Sequence, residues 1–178
     1  MSKFTFSIEN PSQQYIQISA QFNSAEDVTF VQLPSWRPGR YELGNFAKNV
    51  RNFVVLDENN QKLEFQKANK DCWAVQTKDV KSITVNYKFY ANTINAGSSY
   101  LDNSQLYVNP VNCCVCVQED FNEPVFIQLN VPEHWEVASS MEKTNDGFQV
   151  ANIEELFDTP FIASGQLQHR DFTSHGVL

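Results

Sequence analysis

Residues 15–22 read YIQISAQF, with Ile16, Ile18, Ala20 and Phe22 at every second position and Tyr15, Gln17, Ser19 and Gln21 between them. Successive side chains of a strand point to opposite faces, so this segment has one apolar and one polar face. The same period recurs in SITVNYKFYA, where Ile83, Val85, Tyr87 and Phe89 alternate with Thr84, Asn86 and Lys88. It recurs again in PVFIQLNVP, where Val125, Ile127, Leu129 and Val131 face away from Gln128 and Asn130. Shorter runs of strand character are FTFSI, VTFVQL, NFVVLD, KLEFQK, CWAVQT, QLYVNP, CCVCV, WEVAS and GFQVA. Turn formers punctuate them at Glu58-Asn59-Asn60, Ala68-Asn69-Lys70, Val131-Pro132 and Asn145-Asp146-Gly147. About eleven or twelve short strands at regular spacing predict a mostly β chain, an antiparallel sandwich or saddle of packed sheets. Helix is confined to one or two very short pieces: up to two turns within Glu42–Asn49, and a single turn capped by Asn152 with Glu154 and Glu155 near its N-terminus.

At 178 residues the chain suits one large domain, or one domain plus a fragment of another. A chain of this size buries roughly 70% of the surface its unfolded form exposes, so it needs no metal or disulfide staple. The net charge of −8 opposes nucleic-acid and anionic-membrane partners, which need a basic patch to release counterions. No run of about 18 apolar residues is present, so no transmembrane helix is expected. The start MSKFTFSIENP has no apolar core and no small-residue cleavage site, which reads as cytoplasmic if Met1 is the native start and leaves the location open otherwise. The four cysteines, Cys72, Cys113, Cys114 and Cys116, have neither CxxC spacing nor a neighbouring histidine. They read as reduced, mostly buried thiols, with Cys114 and Cys116 on one face if CCVCV is a strand.

Catalytic constellations are missing. The histidines are His134, His169 and His175, none in an HExxH setting, and there is no GxSxG, GxGxxG or GxxxxGK[ST]. No catalytic and no metal-binding residue is assigned. Of the tryptophans, Trp73 and Trp135 sit among strand residues and read as core rather than as sugar platforms. The loop Gly97–Pro110 gathers hydrogen-bonding side chains between two strand-like runs, as either a solvated hairpin or one wall of a ligand site. In LPSWRPGRYELGNFAKNV, Leu33–Val50, Pro38-Gly39 fits a type II turn, with Gly39 at positive φ and Trp36 and Tyr41 packing over the corner.

That stretch resembles a block near the start of the glycyl aminopeptidase family, family sixty-one of the metallopeptidases. The matching positions are Leu33, Pro34, Trp36, Pro38, Gly39, Tyr41, Phe46, Ala47, Asn49 and Val50. ELFDTPFIASG resembles the block that closes the family's N-terminal domain, at Leu156, Asp158, Pro160 and Gly165. The run Asn69–Trp73 and the YKFYA strand are similar to family features between the two. The resemblance implies a non-catalytic N-terminal β-domain over 1–165. A tail, 166–178, would lead into a catalytic domain that is not in the chain and that bears HExxH and zinc. Such enzymes remove N-terminal Gly or Ala with zinc-activated water. The implied partners are that catalytic domain and a peptide substrate, and no cofactor is expected on this chain itself. By analogy of domain placement, Tyr100, Asp102, Asn103 and Gln105 are expected to face the substrate cleft. The alternative reading is a free-standing β-sandwich that binds a peptide or carbohydrate.

Overall fold

The computed structural model describes residues 1–37, 39 and 43–170. Among these, fourteen strands form three sheets, with two short helices. The largest sheet runs, in spatial order, β12 (Glu142–Thr144), β13 (Gly147–Val150), β10 (Val125–Asn130), β1 (Ser2–Ser7), β2 (Tyr15–Asn23), β7 (Ser82–Tyr90) and β4 (Val50–Asp57). A four-stranded sheet runs β11 (Glu136–Ala138), β14 (Phe161–Ser164), β9 (Gln105–Val108) and β8 (Tyr100–Leu101). A three-stranded sheet runs β3 (Val28–Gln32), β6 (Cys72–Gln76) and β5 (Phe65–Lys67).

The alternation seen in the sequence sets the inner face of the large sheet. Ile16, Ile18, Ala20 and Phe22 of β2 and Ile83, Val85, Tyr87 and Phe89 of β7 are buried, while their odd-position neighbours in β2 and even-position neighbours in β7 face outward. Antiparallel register sets Ile18 against Phe6 on one side and Tyr87 on the other, so the apolar rows line up. The two smaller sheets share one core with this face: Val31, Trp73 and Val75 come from the three-stranded sheet, and Leu101, Leu106, Val108, Phe161 and Ala163 from the four-stranded one. Phe6 meets Phe161 edge-on at 5.3 Å, joining the large sheet to the four-stranded one. Phe53 stacks on Trp73 at 4.3 Å, joining it to the three-stranded one.

All pairings are antiparallel except β1 with β10, which run parallel in register Ser2–Val125 to Ser7–Asn130. The expected antiparallel arrangement holds for the other described pairs; β1 and β10 lie far apart in sequence, where a crossover is free to return in the same direction. A second difference concerns CCVCV. Residues Pro110–Cys113 form a helical turn, α1, and the chain beyond it touches strand structure only at a single bridge from Cys116 to Gln32. Proline suits the first turn of a helix, where its missing N–H costs nothing. The Cys113 carbonyl accepts from buried Tyr87 Oη at 2.5 Å instead of from a ladder partner. Cys114 is consequently the helix cap and is buried, while Cys116 is partly exposed, so the shared strand face expected for them does not form. The Asn152 turn is present as α2 (Ile153–Phe157), with Asn152 Oδ1 accepting from the Glu155 amide at 2.9 Å. Helix within Glu42–Asn49 shrinks to a 3-10 turn at Phe46–Asn49. The tail expected over 166–178 carries no strand at 166–170, and 171–178 lie outside the described residues. No helix among the described residues is long and apolar enough to cross a membrane.

Candidate functional site

The four residues singled out for the cleft lie on one hairpin. Strands β8 and β9 pair Tyr100 with Tyr107 and Leu101 with Leu106, and Leu101 and Leu106 are buried beneath it. Asp102 organises the tip: its Oδ1 accepts from Ser104 N at 2.7 Å, Ser104 Oγ at 2.7 Å and Gln105 N at 2.9 Å. Its Oδ2 accepts from Tyr100 Oη at 3.1 Å. An aspartate that bonds backbone amides two and three residues on is a standard local turn former. Asn103 is exposed at the apex and accepts from Ser12 Oγ at 3.3 Å. Ser164 Oγ donates to the Ser104 carbonyl at 2.8 Å, fixing the tip to β14. The structure therefore brings Tyr100, Asp102, Asn103 and Gln105 together, and shows that the Asp102 carboxylate already holds the loop in shape.

Partial burial works against ionisation of Asp102, but the hydrogen bonds from Ser104, Gln105 and Tyr100 outweigh it and hold the carboxyl below its ordinary 3.8. The same bond to Asp102, followed by desolvation, raises the Tyr100 hydroxyl above its usual range. Because the folded carboxyl titrates lower than the unfolded one, its contribution to stability is present above about pH 4 and is lost as pH falls through the folded value. Asp102→Asn is thus expected to flatten the acid limb of the stability–pH curve below about pH 4, with unfolding by urea as the readout. A parent and a variant that lose stability in parallel over that range would contradict this role.

The family-block residues fall into different surroundings. Gly39 has φ of +82°, the conformation the Pro-Gly turn requires. Pro38 and Tyr41 lie outside the described residues. Trp36 is 55% exposed, so the expected packing of this ring over the corner is not what the fold uses it for. Its neighbour Ser35 donates to Asp71 Oδ2 at 2.7 Å, and Leu33 N donates to the Asp71 carbonyl at 2.9 Å, which ties this segment to the start of β6. At the other block, Asp158 ends α2, its amide bonding the Glu154 and Glu155 carbonyls. Pro160 offers its carbonyl to Ser139 Oγ. Gly165 lies against His134 and Trp135, where an added Cβ would come within 3.0 Å of the His134 ring.

Trp73 and Trp135 are buried, as expected of core tryptophans. Lys67 Nζ sits over the Trp73 ring at 3.6 Å. All four cysteines are free thiols. Burial, reinforced by Cys113 and Cys116, pushes the Cys114 thiol well up, and burial with Cys72 nearby pushes Cys116 up to about 12. Both stay protonated at neutral pH and are poor nucleophiles. His169 Nε2 lies 3.3 Å from Glu136 Oε2 on the surface, and His175 lies outside the described residues. No three His, Cys, Asp or Glu side chains converge among the described residues, so those present do not fit a zinc ion.

The described residues form a mostly β domain whose three sheets share one core, with the β8–β9 hairpin at the edge of the four-stranded sheet. The chain belongs to the Peptidase M61 N-terminal domain family, which it matches over residues 3–165. A comparison with curated proteins finds no match. Among solved structures, it resembles an aminopeptidase N family protein from Idiomarina loihiensis with 25% identity and a TM-score of 0.89, covering 99% of this chain and 31% of that one. It shares its fold with an M1 zinc metallopeptidase from Deinococcus radiodurans at 10% identity and a TM-score of 0.51, covering 92% of this chain and 41% of that one. A mutant of a Deinococcus radiodurans M1 zinc metallopeptidase, solved with a Tyr-Ser-Ala substrate, gives a TM-score of 0.50 at 11% identity, again over 92% of this chain and 41% of that one. The chain thus spans about a third of the first of these proteins and two fifths of the other two.

Proposed function

We propose that this chain is the non-catalytic N-terminal β-domain of a zinc aminopeptidase, which packs on the catalytic domain and walls one side of the substrate cleft. The observation that carries this reading is the pair of coverages: nearly all of this chain superposes on less than a third of an aminopeptidase N family protein, at a TM-score of 0.89. In this reading the zinc ligands and the general base would lie in another domain, where the metal would activate water for release of N-terminal Gly or Ala. Exposed Trp36 and Leu43, from the family block, and Ile94, from the loop before β8, support it as apolar surface suited to a neighbouring domain. The β8–β9 hairpin would then face the cleft, with Tyr100, Asp102, Asn103 and Gln105 near the substrate's free amine and the Asp102 charge attracting its ammonium.

Because Asp102 also shapes the loop, alanine is a poor probe. Asp102→Asn removes the charge and keeps the oxygen that accepts from Ser104 and Gln105, with an amide in place of the oxygen that accepts from Tyr100. In the whole polypeptide this variant is expected to raise KM for Gly- and Ala-initiated peptides about tenfold with little change in kcat, the pattern of a lost uniform binding contact. An unchanged KM would remove the hairpin from the substrate path.

A further inference from the structure

Ser164 ends β14 and is 6% exposed. Alternation along this strand turns Phe161 and Ala163 into the core and puts Ser164 on the opposite face. Its rung crosses three strands: Ser164 lies opposite Gln105 of β9 on one side and opposite Glu136 of β11 on the other. The Ser164 hydroxyl joins two parts of the chain. It donates to the Ser104 carbonyl at 2.8 Å and accepts from the Gln166 amide at 3.1 Å. A hydroxyl has a single proton to donate, and this one is given to the hairpin tip.

Asp102 and Ser164 hold the tip in different ways. The Asp102 carboxylate bonds Tyr100, Ser104 and Gln105, all within the hairpin, so it sets the shape of the tip but not where the tip stands on the domain. Asp102 N, donating to the Gln105 carbonyl at 3.0 Å, is again a bond within the hairpin. Among the described residues, the side-chain bonds that reach residues 102–105 from other elements come from Ser12, to Asn103, and from Ser164, to Ser104. The Ser12 bond is exposed and competes with water, whereas Ser164 is buried. On its other side the Ser164 hydroxyl meets the segment 165–170. Gln166 bonds the hydroxyl itself, and His169 Nε2 lies 3.3 Å from Glu136 Oε2 on the same rung. Gly165 packs against His134 and Trp135. The segment beyond β14 is therefore held on the same rung that holds the tip.

We propose that Ser164 is a positioning residue for the β8–β9 hairpin: one hydroxyl ties the place of the tip, and with it the Asp102 carboxylate, to the path the chain takes beyond β14. Its part in peptide turnover rests on the aminopeptidase reading; the coupling of the tip to segment 165–170 does not. The connection is an unbroken series of hydrogen bonds. Gln166 N–H donates to Ser164 Oγ, Ser164 O–H donates to the Ser104 carbonyl, and Ser104 N–H donates to Asp102 Oδ1. In the aminopeptidase reading the catalytic domain follows this segment in the chain. The seating of that domain and the aim of Asp102 at the substrate's ammonium are then linked through one side chain.

The test has two arms. In this chain alone, Ser164→Ala is expected to speed amide hydrogen exchange at Ser104 and Gln105 about tenfold, measured by NMR, with Ile18 and Val85 of the large sheet unchanged. Unchanged exchange at the tip would show that water replaces the hydroxyl and would overturn the coupling. In the whole polypeptide, Ser164→Ala is expected to raise KM for Gly- and Ala-initiated peptides about fivefold with kcat unchanged, and Ser164→Thr, which keeps the hydroxyl, to restore the parent KM. A residue that only stabilised the fold would lower the amount of active protein and leave KM alone. The double variant of Ser164→Ala with Asp102→Asn makes the same check without a threonine at this crowded position. Its KM should equal that of Asp102→Asn, because the place of the tip no longer matters once the charge is gone, and effects that multiply would contradict the proposal. A KM raised by Asp102→Asn but not by Ser164→Ala sinks the positioning role and leaves the aminopeptidase reading intact. A KM moved by neither removes the hairpin from the substrate path, and the role of Ser164 in turnover with it.

Discussion

Phe6→Ala is expected to destabilise this chain by about 3–5 kcal/mol, the usual cost of emptying a buried phenylalanine site. Phe6 has no exposed surface, meets Phe161 edge-on at 5.3 Å and stacks with Phe4 at 6.4 Å. It is where the seven-stranded sheet grips the four-stranded one, so the cavity would open between layers that have few other aromatic contacts. Against a typical domain stability of about 5–15 kcal/mol, the loss is a large fraction of the whole. Urea unfolding provides the readout, with Thr5→Ala as control: Thr5 neighbours Phe6 on the opposite, outward face of β1, and its truncation should stay near ±0.5 kcal/mol. Comparable effects at the two positions would contradict the assignment of the inner face.

The second large effect belongs to Asp120, a residue the sequence does not distinguish from the surface acids around it. Asp120 is 3% exposed. Its carboxylate accepts from the Asn23 backbone amide at 2.8 Å, from Asn23 Nδ2 at 2.8 Å and from Ser2 Oγ at 3.3 Å. These bonds pin the loop before β10 to the end of β2 and the start of β1. Hydrogen bonds to a charged group contribute about 1.5–3 kcal/mol, and removing the acceptor strands the buried Ser2 hydroxyl and leaves the partly buried Asn23 donors to water. Asp120→Ala is therefore expected to cost about 2–4 kcal/mol at neutral pH. Asp120→Asn, which keeps one acceptor, should cost less, and the same unfolding assay separates them. An alanine variant as stable as the parent would show that water replaces the carboxylate freely.

Much of the fold is legible in the alternation, because a half-buried strand writes its two faces into every second residue. β2, β7 and β10 show this, as does the Asn152 cap, a local signal that needs no distant partner. What escaped is non-local or too short to carry a period. β8, with two residues, and β12, with three, have no room for alternation. CCVCV has strand composition, but a proline at the start of a turn and the Tyr87 hydroxyl decide its conformation instead. The parallel β1–β10 pair depends on a partner more than a hundred residues away. The hairpin residues could be named from the density of polar side chains between Gly97 and Pro110. That Asp102 spends its oxygens on Ser104, Gln105 and Tyr100 could not, since the chain states which groups are present and not which of them bond.

Under the proposed function, residues 3–165 serve as a wall and docking surface for a zinc aminopeptidase and not as a catalyst. The most direct measurement compares release of N-terminal Gly and Ala from short peptides by this chain alone and by the whole polypeptide that contains it, each with Zn²⁺ and with a chelator. The account predicts no turnover by this chain under either condition, and turnover by the whole polypeptide that the chelator abolishes. Zn²⁺-dependent turnover by this chain, or none by the whole polypeptide, would contradict it.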